Sequence, residues 1–313
     1  MQVGVSHVDV IVVNWNAGSQ LLGCVDSVAQ HGKDLVTQTI VVDKGSVDGS
    51  EAYIENLPNV TLIRAGANLG FGKACNLGAQ RAKSQYLLFL NPDAALYHDT
   101  LTKAVTFMQD SVNAKVGICG VQLLDEIGHV SRSCARFPSA VGFVFHAVGL
   151  DRFFPRLGHA MAEWNHAETR QVDHVIGAFF LVRRDLFTVL NGFDERFFVY
   201  LEDLDFSYRA RLAGWSSVYF ADVQAFHAGG GTSNQVKARR LFYSLRSRLL
   251  YAFKHFTWLG AFVFLLATLL VEPLSRSALA LLRGSWIGLK ETWAAYGMLW
   301  RWLPKWLSRD TPL

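Results

Sequence analysis

The chain has 313 residues, of which 51% are hydrophobic and 18% are charged, and its formal net charge is +4. This length accommodates one large α/β domain with an appended segment, and the apolar content is high for a soluble protein but ordinary for a membrane-associated one. The four cysteines form no CxxC pair and no zinc-finger spacing, which excludes small metal-finger folds.

Charge is distributed unevenly along the chain. Residues 237–313 carry 12 basic and 3 acidic side chains, a balance of +9, whereas residues 1–236 carry 18 basic and 23 acidic ones, a balance of −5. A basic tail on an acidic body indicates an anionic partner surface, which is either nucleic acid or a phospholipid leaflet. Isolated cysteines suit a reducing compartment, and the first residues lack signal-peptide features, so we expect a cytoplasmic body.

The first ninety residues alternate short apolar runs with stretches of helical spacing. The predicted strands are 8–13, 39–42, 60–63 and 86–90, and the predicted helices are 21–29 and 72–83. This alternation predicts a mostly parallel sheet, in which ligands bind beyond the carboxyl ends of the strands. Because polar clusters at 14–16, 43–48 and 91–93 follow three of these strands, we expect them to converge on one crevice.

The pattern is less regular in the middle of the chain. Residues 125–174 mix polar and aromatic side chains and predict a long loop or lid. A further strand is predicted at 175–182 and a helix at 204–212.

The character changes again after Lys237. A helix is predicted at 238–256, and the uncharged run 256–271 has 16 residues, slightly short of the roughly 20 that span a bilayer. Six of the nine tryptophans lie beyond residue 257, and Trp286, Trp293 and Trp300 are seven residues apart, so they share one helix face. Together with interspersed Arg283, Lys290, Arg301 and Lys305, they predict an interfacial helix.

Two polar groups near the first strands are candidates for ligand contacts. The Asp43–Asp48 turn offers carboxylates to a nucleoside, although a strand-to-helix turn capped by Ser46 or Asp48 is the simpler explanation and the one these residues alone favour. The run Asn68–Asn76 contains Gly70 and Gly72 just before a helix, which suits a diphosphate. A dinucleotide fingerprint is missing after the first strand, which disfavours a dehydrogenase.

Acidic groups follow later strands. Asp93, in Asn91-Pro92-Asp93, has the position that a cation bridging two phosphates requires, with a proline turn as the alternative. Glu202, Asp203 and Asp205 stand beside aromatic bulk, a setting that favours a general base, although an acidic first helical turn explains at least one of them.

Basic groups complete the candidate set. His227 precedes a glycine run and is a candidate for a metal or phosphate contact. Arg183 and Arg184 follow the strand at 175–182, where they either approach substrate phosphates or lie at a solvated strand end.

The ordered set of these motifs resembles the family-2 glycosyltransferases of the GT-A fold, and within them bacterial rhamnosyltransferases of the WbbL type. The segments that carry the resemblance are VIVVNWN at 10–16, VVDKGSVDGS at 41–50, NLGFGKACN at 68–76, LFLNPDA at 88–94, GAFFLVRR at 177–184, GFDERFFVYLEDLDFSYRARLAGW at 192–215 and FHAGGGTS at 226–233. They cover about three-quarters of the chain. The resemblance implies an α/β GT-A catalytic domain at 1–236, with a donor half to about residue 120 and an acceptor half from about 121, followed by a helical membrane-associated segment at 237–313.

The resemblance also implies roles for individual residues. Asp43 contacts the nucleotide base, Asp93 and His227 hold Mg²⁺ or Mn²⁺, and Asp203 of the Glu202–Asp203 pair is the catalytic base. Further donor contacts are assigned to Asn14, Lys44, Asn68, Gly70, Asn76 and Asn91, and a low-priority acceptor or phosphate role to Arg183, Arg184 and Asp205. The implied activity is inverting transfer from a nucleotide-sugar, with dTDP-rhamnose as the preferred expectation, to a lipid-linked saccharide at the cytoplasmic face of the membrane.

Two departures from the family pattern stand out. Lys44 occupies the position where the family usually has Asn or Asp, and Asn91-Pro92-Asp93 supplies one acid where the DxD motif has two. Two alternatives stay open, namely a polyprenyl-phosphate sugar transferase and a non-catalytic nucleotide-sugar-binding subunit. We expect anionic lipids rather than nucleic acid as the partner surface, because the basic residues lie among long apolar runs.

Overall fold

The computed structural model describes residues 7–150, 153–154, 156, 158–161, 163–229 and 237–308. The chain divides into two compact units. Unit 1 comprises Met1–Ala135, Trp164–Glu195 and Glu202–Thr232, and unit 2 comprises Arg136–Glu163, Arg196–Leu201 and Ser233–Leu313. Residues 136–163 and 196–201, which belong to the predicted catalytic domain, therefore group with the C-terminal helices.

Unit 1 is built on a mixed sheet of nine strands, counted over the described residues. The strands of the unit are β1 (Val8–Asn14), β2 (Val36–Asp43), β3 (Val60–Arg64), β4 (Tyr86–Leu90), β5 (Ala94–Leu96), β6 (Val116–Leu124), β7 (Cys134–Ala135), β8 (Arg170–Val172), β9 (His174–Val175), β10 (Phe179–Arg183) and β11 (Ser216–His227). The order is β3-β2-β1-β4-β10-β6-β11-β5, β8 pairs with β11, and β7 and β9 form a separate two-stranded ribbon.

The first four strands run parallel, as the sequence predicts. Strand β10 is antiparallel to both β4 and β6, and β6 is parallel to β11, so the carboxyl ends of β1, β2, β4, β6 and β11 lie at one edge of the sheet. The helices of unit 1 are α1 (Ser19–Gly32), α2 (Phe71–Ala79), α3 (Thr100–Gln109), α5 (Arg184–Val189) and α6 (Glu202–Leu212). This mostly parallel sheet with flanking helices confirms the predicted fold class.

The core of unit 1 follows from the apolar runs. Every residue of β1 and β4 is buried, which explains why these strands read as continuous hydrophobic stretches rather than as alternating ones. Strand β4 has the predicted bounds, whereas α2 ends at Ala79 rather than at residue 83.

The prediction of one continuous strand at 175–182 is wrong. Val175 pairs with Cys134 in the small ribbon, and the chain leaves that ribbon through Gly177 before Phe179 joins the main sheet. The two halves thus have different partners, and an apolar run does not reveal which strand it pairs with.

The helices of unit 2 are α4 (Ala140–Val148), α7 (Lys237–His255), α8 (Trp258–Leu266), α9 (Glu272–Leu282) and α10 (Trp286–Leu307), with a π-helical turn at Ala267–Val271. Helix α4 lies inside the region predicted as irregular, and this prediction is wrong. The Ser139 side chain caps its first turn by accepting from Gly142 N, and Gly149 in the left-handed conformation ends it.

Aromatic packing and one buried ion network hold unit 2 together. The ring of Phe143 in α4 contacts those of Tyr251 and Phe264 at centroid distances of 6.1 and 4.9 Å. Glu272 is fully buried and accepts from Arg248, itself 5% exposed, at 2.8 Å and from Arg276 at 2.9 Å.

Among the described residues, one helix, Trp258–Leu282, is long and apolar enough to cross a membrane, which on its own is weak evidence of a span. The prediction that Trp286, Trp293 and Trp300 share a helix is confirmed, since all three lie on α10, and their exposed fractions are 69%, 42% and 45%.

Candidate active site

The loop after β2 is organised by Asp43. Its Oδ1 accepts from the Asn14 amide at 2.8 Å and from the Ser46 hydroxyl at 2.5 Å, and its Oδ2 accepts from the backbone of Gly45 and Ser46. The side chain is 4% exposed, so these four bonds occupy most of the acceptor capacity of the carboxylate. Asp43 therefore shapes the turn, as the simpler sequence interpretation allowed.

Asn14 joins the ends of β1 and β2. Its Nδ2 lies within hydrogen-bond distance of Asp43, Ser46 and Ser50, and the neighbouring carboxylate fixes which end of the amide is the donor. Its Oδ1 is buried and has no partner among the residues that the structure describes. Buried acceptors are nearly always satisfied, so this oxygen is a place for a water or a ligand donor.

Lys44 and Glu202 lie close enough to influence each other's ionisation. Burial lowers the pKa of Lys44, and Cys75, Glu202 and Asp43 oppose that shift. Burial also raises the pKa of Glu202 well above its usual range, with Asp203 adding to the shift and Lys44 opposing it. Glu202 is 4% exposed and packs against Gly72 of α2, where an added Cβ would come within 3.4 Å of the glutamate Cβ. It is thus poorly suited to exchange protons with a substrate.

The predicted diphosphate segment divides into two parts. Asn68 Oδ1 accepts from Gly70 N at 3.1 Å, and Gly70 precedes α2 with a φ of 86°, a conformation that favours glycine. Asn76 lies in the second turn of α2, where its Oδ1 accepts from Phe193 N at 2.9 Å and its Nδ2 donates to Phe193 O at 2.8 Å. Both ends of this amide are thus used in joining α2 to the 192–195 turn, away from the start of the helix.

Asp93 and His227 come together although 134 residues separate them in sequence. Strand β11 pairs with β5 so that His227 lies opposite Ala94, and Asp93 Oδ1 is 3.4 Å from His227 Nε2. The Asn91 amide also lies 3.4 Å from His227 Nε2, and both the Asp93 and the His227 side chains are mostly buried. Part of the glycine run that follows, residues 230–233, lies outside the described residues.

Asp203 lies at the start of α6 with its side chain 18% exposed. Its Oδ2 accepts from Gly177 N at 2.8 Å and its Oδ1 from Leu204 N at 2.8 Å. The next residue after Gly177, Ala178, accepts from Asn91 N through its carbonyl oxygen at 3.1 Å. Consecutive residues of one chain segment therefore tie the base candidate to the strand end that carries Asp93.

Sequence reasoning overlooked His174. This side chain is 3% exposed, and its Nε2 is 3.6 Å from Asp203 Oδ2. Nothing in the local sequence points from His174 to a partner 29 residues away.

The acceptor or phosphate role expected for Arg183 is corrected by its position. Arg183 pairs with Tyr86, the first residue of β4, and so lies at the edge of the sheet opposite Asn91. Its guanidinium donates to the carbonyl oxygens of Val116 and Met108. Arg184 begins α5 at that same edge and donates through its backbone to Gln85 O.

Asp205 also has a structural environment. It is fully buried and accepts from Arg209 Nε at 2.8 Å, and the same guanidinium donates to the carbonyl oxygens of Leu190 and Gly192. The ion pair thus pins the 190–192 turn to α6, and this geometry leaves no role for Asp205 in contacting an acceptor.

We expect Asp205→Ala to lower the free energy of unfolding by about 3–5 kcal/mol, the usual cost of leaving one partner of a buried ion pair alone. Thermal unfolding measures this loss. Asp185→Ala, which removes an exposed acid from the first turn of α5, is the matched control and should change the free energy by less than about 0.5 kcal/mol. Equal unfolding temperatures for the two variants would contradict the structural role.

The family model for "Glycosyl transferase family 2" matches residues 9–190. The chain belongs to this family. A curated relative, N-acetylglucosaminyl-diphospho-decaprenol L-rhamnosyltransferase of Mycobacterium tuberculosis, is 30% identical over 267 residues, which cover 80% of this chain and 85% of that protein. Rhamnosyltransferase WbbL of Escherichia coli K12 is 32% identical over 174 residues, covering 52% of this chain and 61% of that protein.

Solved structures share the fold of this glycosyltransferase at low sequence identity. A mannosyltransferase from Pyrobaculum calidifontis, solved with GDP-Man and Mn²⁺, matches with a TM-score of 0.56 at 20% identity, covering 94% of this chain and 74% of that one. Residues 1–349 of TarS from S. aureus match with a TM-score of 0.52 at 16% identity, covering 84% and 70%. The resemblance to family-2 rhamnosyltransferases and the GT-A-like fold are therefore confirmed.

The family match leaves part of the candidate site of the glycosyltransferase uncovered. Asn14, Asp43 and Asp93 fall inside the matched residues 9–190, whereas Asp203 and His227 lie beyond them. The fold supplies the connection, because β10 inserts between β4 and β6 and thereby carries Gly177 toward Asp203 and Ala178 toward Asn91.

Proposed function

We propose that this glycosyltransferase transfers L-rhamnose from dTDP-rhamnose, with inversion, to a hydroxyl of a polyprenyl-diphosphate-linked saccharide. The observation that carries the proposal is a short connection between two groups. Gly177 donates to the partly exposed carboxylate of Asp203, and the next residue, Ala178, accepts from Asn91, which lies beside the Asp93–His227 pair. The named activities of the M. tuberculosis and E. coli relatives support the choice of sugar and of lipid-linked acceptor.

Asp93 and His227 fit a divalent cation. Two ligands in adjacent positions around one octahedral ion lie about 3 Å apart, and Asp93 Oδ1 and His227 Nε2 are 3.4 Å apart with little exposure. No group of three or more His, Cys, Asp or Glu side chains suited to a metal occurs among the described residues, so donor phosphates and water would complete the shell. When bound, Mg²⁺ or Mn²⁺ would neutralise charge on the departing nucleoside diphosphate.

Protein groups divide the remaining work. Asp203 removes the proton of the acceptor hydroxyl as that oxygen attacks the anomeric carbon, because its side chain is partly exposed whereas that of the adjacent Glu202 is buried. Glu202, whose pKa is raised by burial, packs against Gly72 and serves to position α2 against α6. The donor is proposed to lie along the ends of β1, β2 and β4, with the ammonium of Lys44 and the orphan oxygen of Asn14 among its contacts.

A donor panel tests the sugar and the nucleotide. Purified protein in detergent with Mn²⁺ or Mg²⁺ is given dTDP-rhamnose, UDP-sugars and GDP-sugars, and release of nucleoside diphosphate is measured with and without a lipid-diphosphate saccharide. The proposal predicts metal-dependent release from dTDP-rhamnose that the acceptor stimulates. Release from a different donor alone would discard rhamnose, and no release from any donor by folded protein would favour a non-catalytic binding subunit.

The surface of unit 2 supports a membrane partner for the acceptor. Exposed apolar side chains recur every three to four residues along helix 258–282 and define a lipid stripe, namely Trp258, Leu259, Phe262, Val263, Leu266, Leu270 and Leu274. Such spacing puts them on one helix face. Glu272 lies near the middle of this helix and is paired with Arg248 of α7, so a spanning orientation would put a charged network near the bilayer centre.

An in-plane helix at the cytoplasmic leaflet avoids that cost and keeps the lipid stripe and the tryptophans of α10 at the headgroup level. The balance of +9 over residues 237–313 favours anionic lipids. We therefore propose a monotopic or peripheral association of unit 2 with the inner face of the membrane.

Replacing Trp286, Trp293 and Trp300 together by Ser is expected to weaken binding to vesicles that contain phosphatidylglycerol by at least tenfold, because exposed tryptophans anchor at interfaces. Vesicle flotation measures binding. Transfer to a lipid-linked acceptor should fall by a similar factor while donor hydrolysis in detergent changes little. The control is Ile127→Ser with Val189→Ser, which replaces two exposed apolar side chains of unit 1 whose exposed fractions are 74% and 73%. Equal flotation of both variants and the wild type would contradict the proposed lipid face.

A further inference from the structure

His174 lies directly behind the proposed base. Its ring is 3% exposed, its Nε2 is 3.6 Å from Asp203 Oδ2, and its Nδ1 is 3.1 Å from the Ser207 hydroxyl oxygen. Ser207 lies one turn after Asp203 on α6 and donates to the carbonyl oxygen of Asp203 at 2.9 Å. Residues of one turn of α6 thus face both ring nitrogens of the histidine.

The single proton of the Ser207 hydroxyl has two acceptors within reach, the Asp203 carbonyl oxygen and His174 Nδ1. When the hydroxyl donates to the carbonyl oxygen, it can only accept from the ring, and Nδ1 then carries the proton of the neutral imidazole. In that arrangement Nε2 presents its lone pair to Asp203 Oδ2.

We propose that His174 is a positioning residue that acts through Asp203, adopting the tautomer protonated at Nδ1 and accepting at Nε2 the proton that Asp203 removes from the acceptor. This inference rests on the proposed role of Asp203 as the base. It adds a second proton-holding group behind that base, one that does not touch either substrate.

The acceptor oxygen forms its bond to the anomeric carbon while the bond from that carbon to the diphosphate oxygen breaks, and the hydroxyl proton moves to Asp203. The proton then passes from Asp203 to His174 Nε2, giving a carboxylate beside an imidazolium, and it later returns to the partly exposed Asp203, which releases it to water. The separation of 3.6 Å requires a small approach of the two groups, which is common when catalytic contacts tighten on substrate binding.

The charges around the ring decide at which pH it can accept. Burial lowers the pKa of His174 below its usual value, while Asp203 on α6 and the adjacent Asp173 oppose this shift. Asp173 is itself paired with Arg211 at 2.9 Å. Strand β7, which pairs with β9, brings Cys134 opposite Val175, and burial raises the pKa of that thiol, so it is uncharged near neutral pH. Strand β11 also packs on β9 and carries Tyr219, whose pKa burial raises as well. The lowered pKa favours the neutral ring, which is the form that can accept a proton.

His174→Gln and His174→Asn test the inference, since neither amide can take up a proton. Single-turnover rates at pH 8 are expected to fall by about 10–100-fold, the size usual for loss of a residue that supports a functional group from behind, while the donor Kd stays within about twofold. As pH decreases through the pKa of His174, the wild-type ring becomes charged and loses its role, so the ratio of wild-type to variant rates should decrease toward one. A purely structural histidine would give a ratio that does not vary with pH.

Two further measurements separate the possible failures. In ¹⁵N spectra of the wild type, the His174 ring resonances are identified as those absent from His174→Gln. At pH 8 they should show a protonated Nδ1 and an unprotonated Nε2. A protonated Nε2 would overturn the inference without reference to activity. Asp173→Asn removes a charge that raises the pKa of the ring, so the pH at which the rate ratio decreases should shift downward; an unchanged midpoint would also contradict the inference. Wild-type turnover by Asp203→Asn would refute the base itself, whereas an inactive Asp203→Asn with a pH-independent His174→Gln defect would refute only the role of His174.

Discussion

Asp203→Asn is expected to reduce the turnover number by about 10²–10⁴-fold, the contribution usual for a positioned general base. The amide cannot accept the hydroxyl proton, yet its shape is nearly that of the carboxylate. Isothermal titration with dTDP-rhamnose and Mn²⁺ should give a donor Kd within about twofold of the wild type, because the carboxylate is not among the proposed donor contacts.

Stability has to be checked in the same variant. Asp203 accepts from both Gly177 N and Leu204 N, and an asparagine has one carbonyl oxygen, so one of these two donors loses its partner. A loss of about 1–3 kcal/mol in the free energy of unfolding is expected from that mismatch. Asp185→Asn, an exposed acid in the first turn of α5, is the control and should keep wild-type turnover. Wild-type turnover by Asp203→Asn would exclude it as the base.

Asp93→Asn and His227→Ala are expected to lower metal-dependent turnover by on the order of 10²–10³-fold each, since a cation that stabilises the leaving group contributes several kcal/mol. Titration of activity with Mn²⁺ should show a higher half-saturating concentration in both variants. Donor binding should weaken too, in contrast to Asp203→Asn, because the cation would be held jointly by the protein and the diphosphate.

The double variant distinguishes a shared site from two separate effects. Two ligands of one cation act as a unit, so the loss in Asp93→Asn/His227→Ala should be much smaller than the product of the single losses. Asp99→Asn and His129→Ala are the controls, because both residues are exposed and lie outside the pair. Fully multiplicative losses, or an unchanged Mn²⁺ requirement in Asp93→Asn, would contradict a cation held by Asp93 and His227.

The parallel half of the sheet could be predicted because its strands are buried on both faces. Strands β1 and β4 appear in the sequence as short unbroken apolar runs, and the polar residues that follow them mark the carboxyl edge where Asn14 and Asp93 lie. The convergence of Asp93 and His227 follows from one antiparallel pairing, β5 with β11. Local sequence patterns do not predict this pairing, and the family resemblance was the one indication that the two residues meet.

The errors arise where long-range pairing overrides local pattern. Arg183 has the appearance of a strand-end cation near a substrate, but β10 runs antiparallel and places it at the opposite edge, where it donates to Val116 O. Asp205 belongs to the same four-residue acidic cluster as Asp203, yet it pairs with Arg209, which lies one turn further along the same helix. His174 could not be identified, because its partners Asp203 and Ser207 are about thirty residues away and no spacing rule connects them.

Transfer of labelled rhamnose from dTDP-rhamnose to a polyprenyl-diphosphate-linked N-acetylglucosamine, with Mn²⁺ in detergent, is the most direct test of the proposed activity. We predict a lipid-linked product that is one sugar longer, formed with the wild type and lost in Asp203→Asn. Label attached directly to a polyprenyl phosphate, or donor consumed without any glycosylated lipid, would contradict the account.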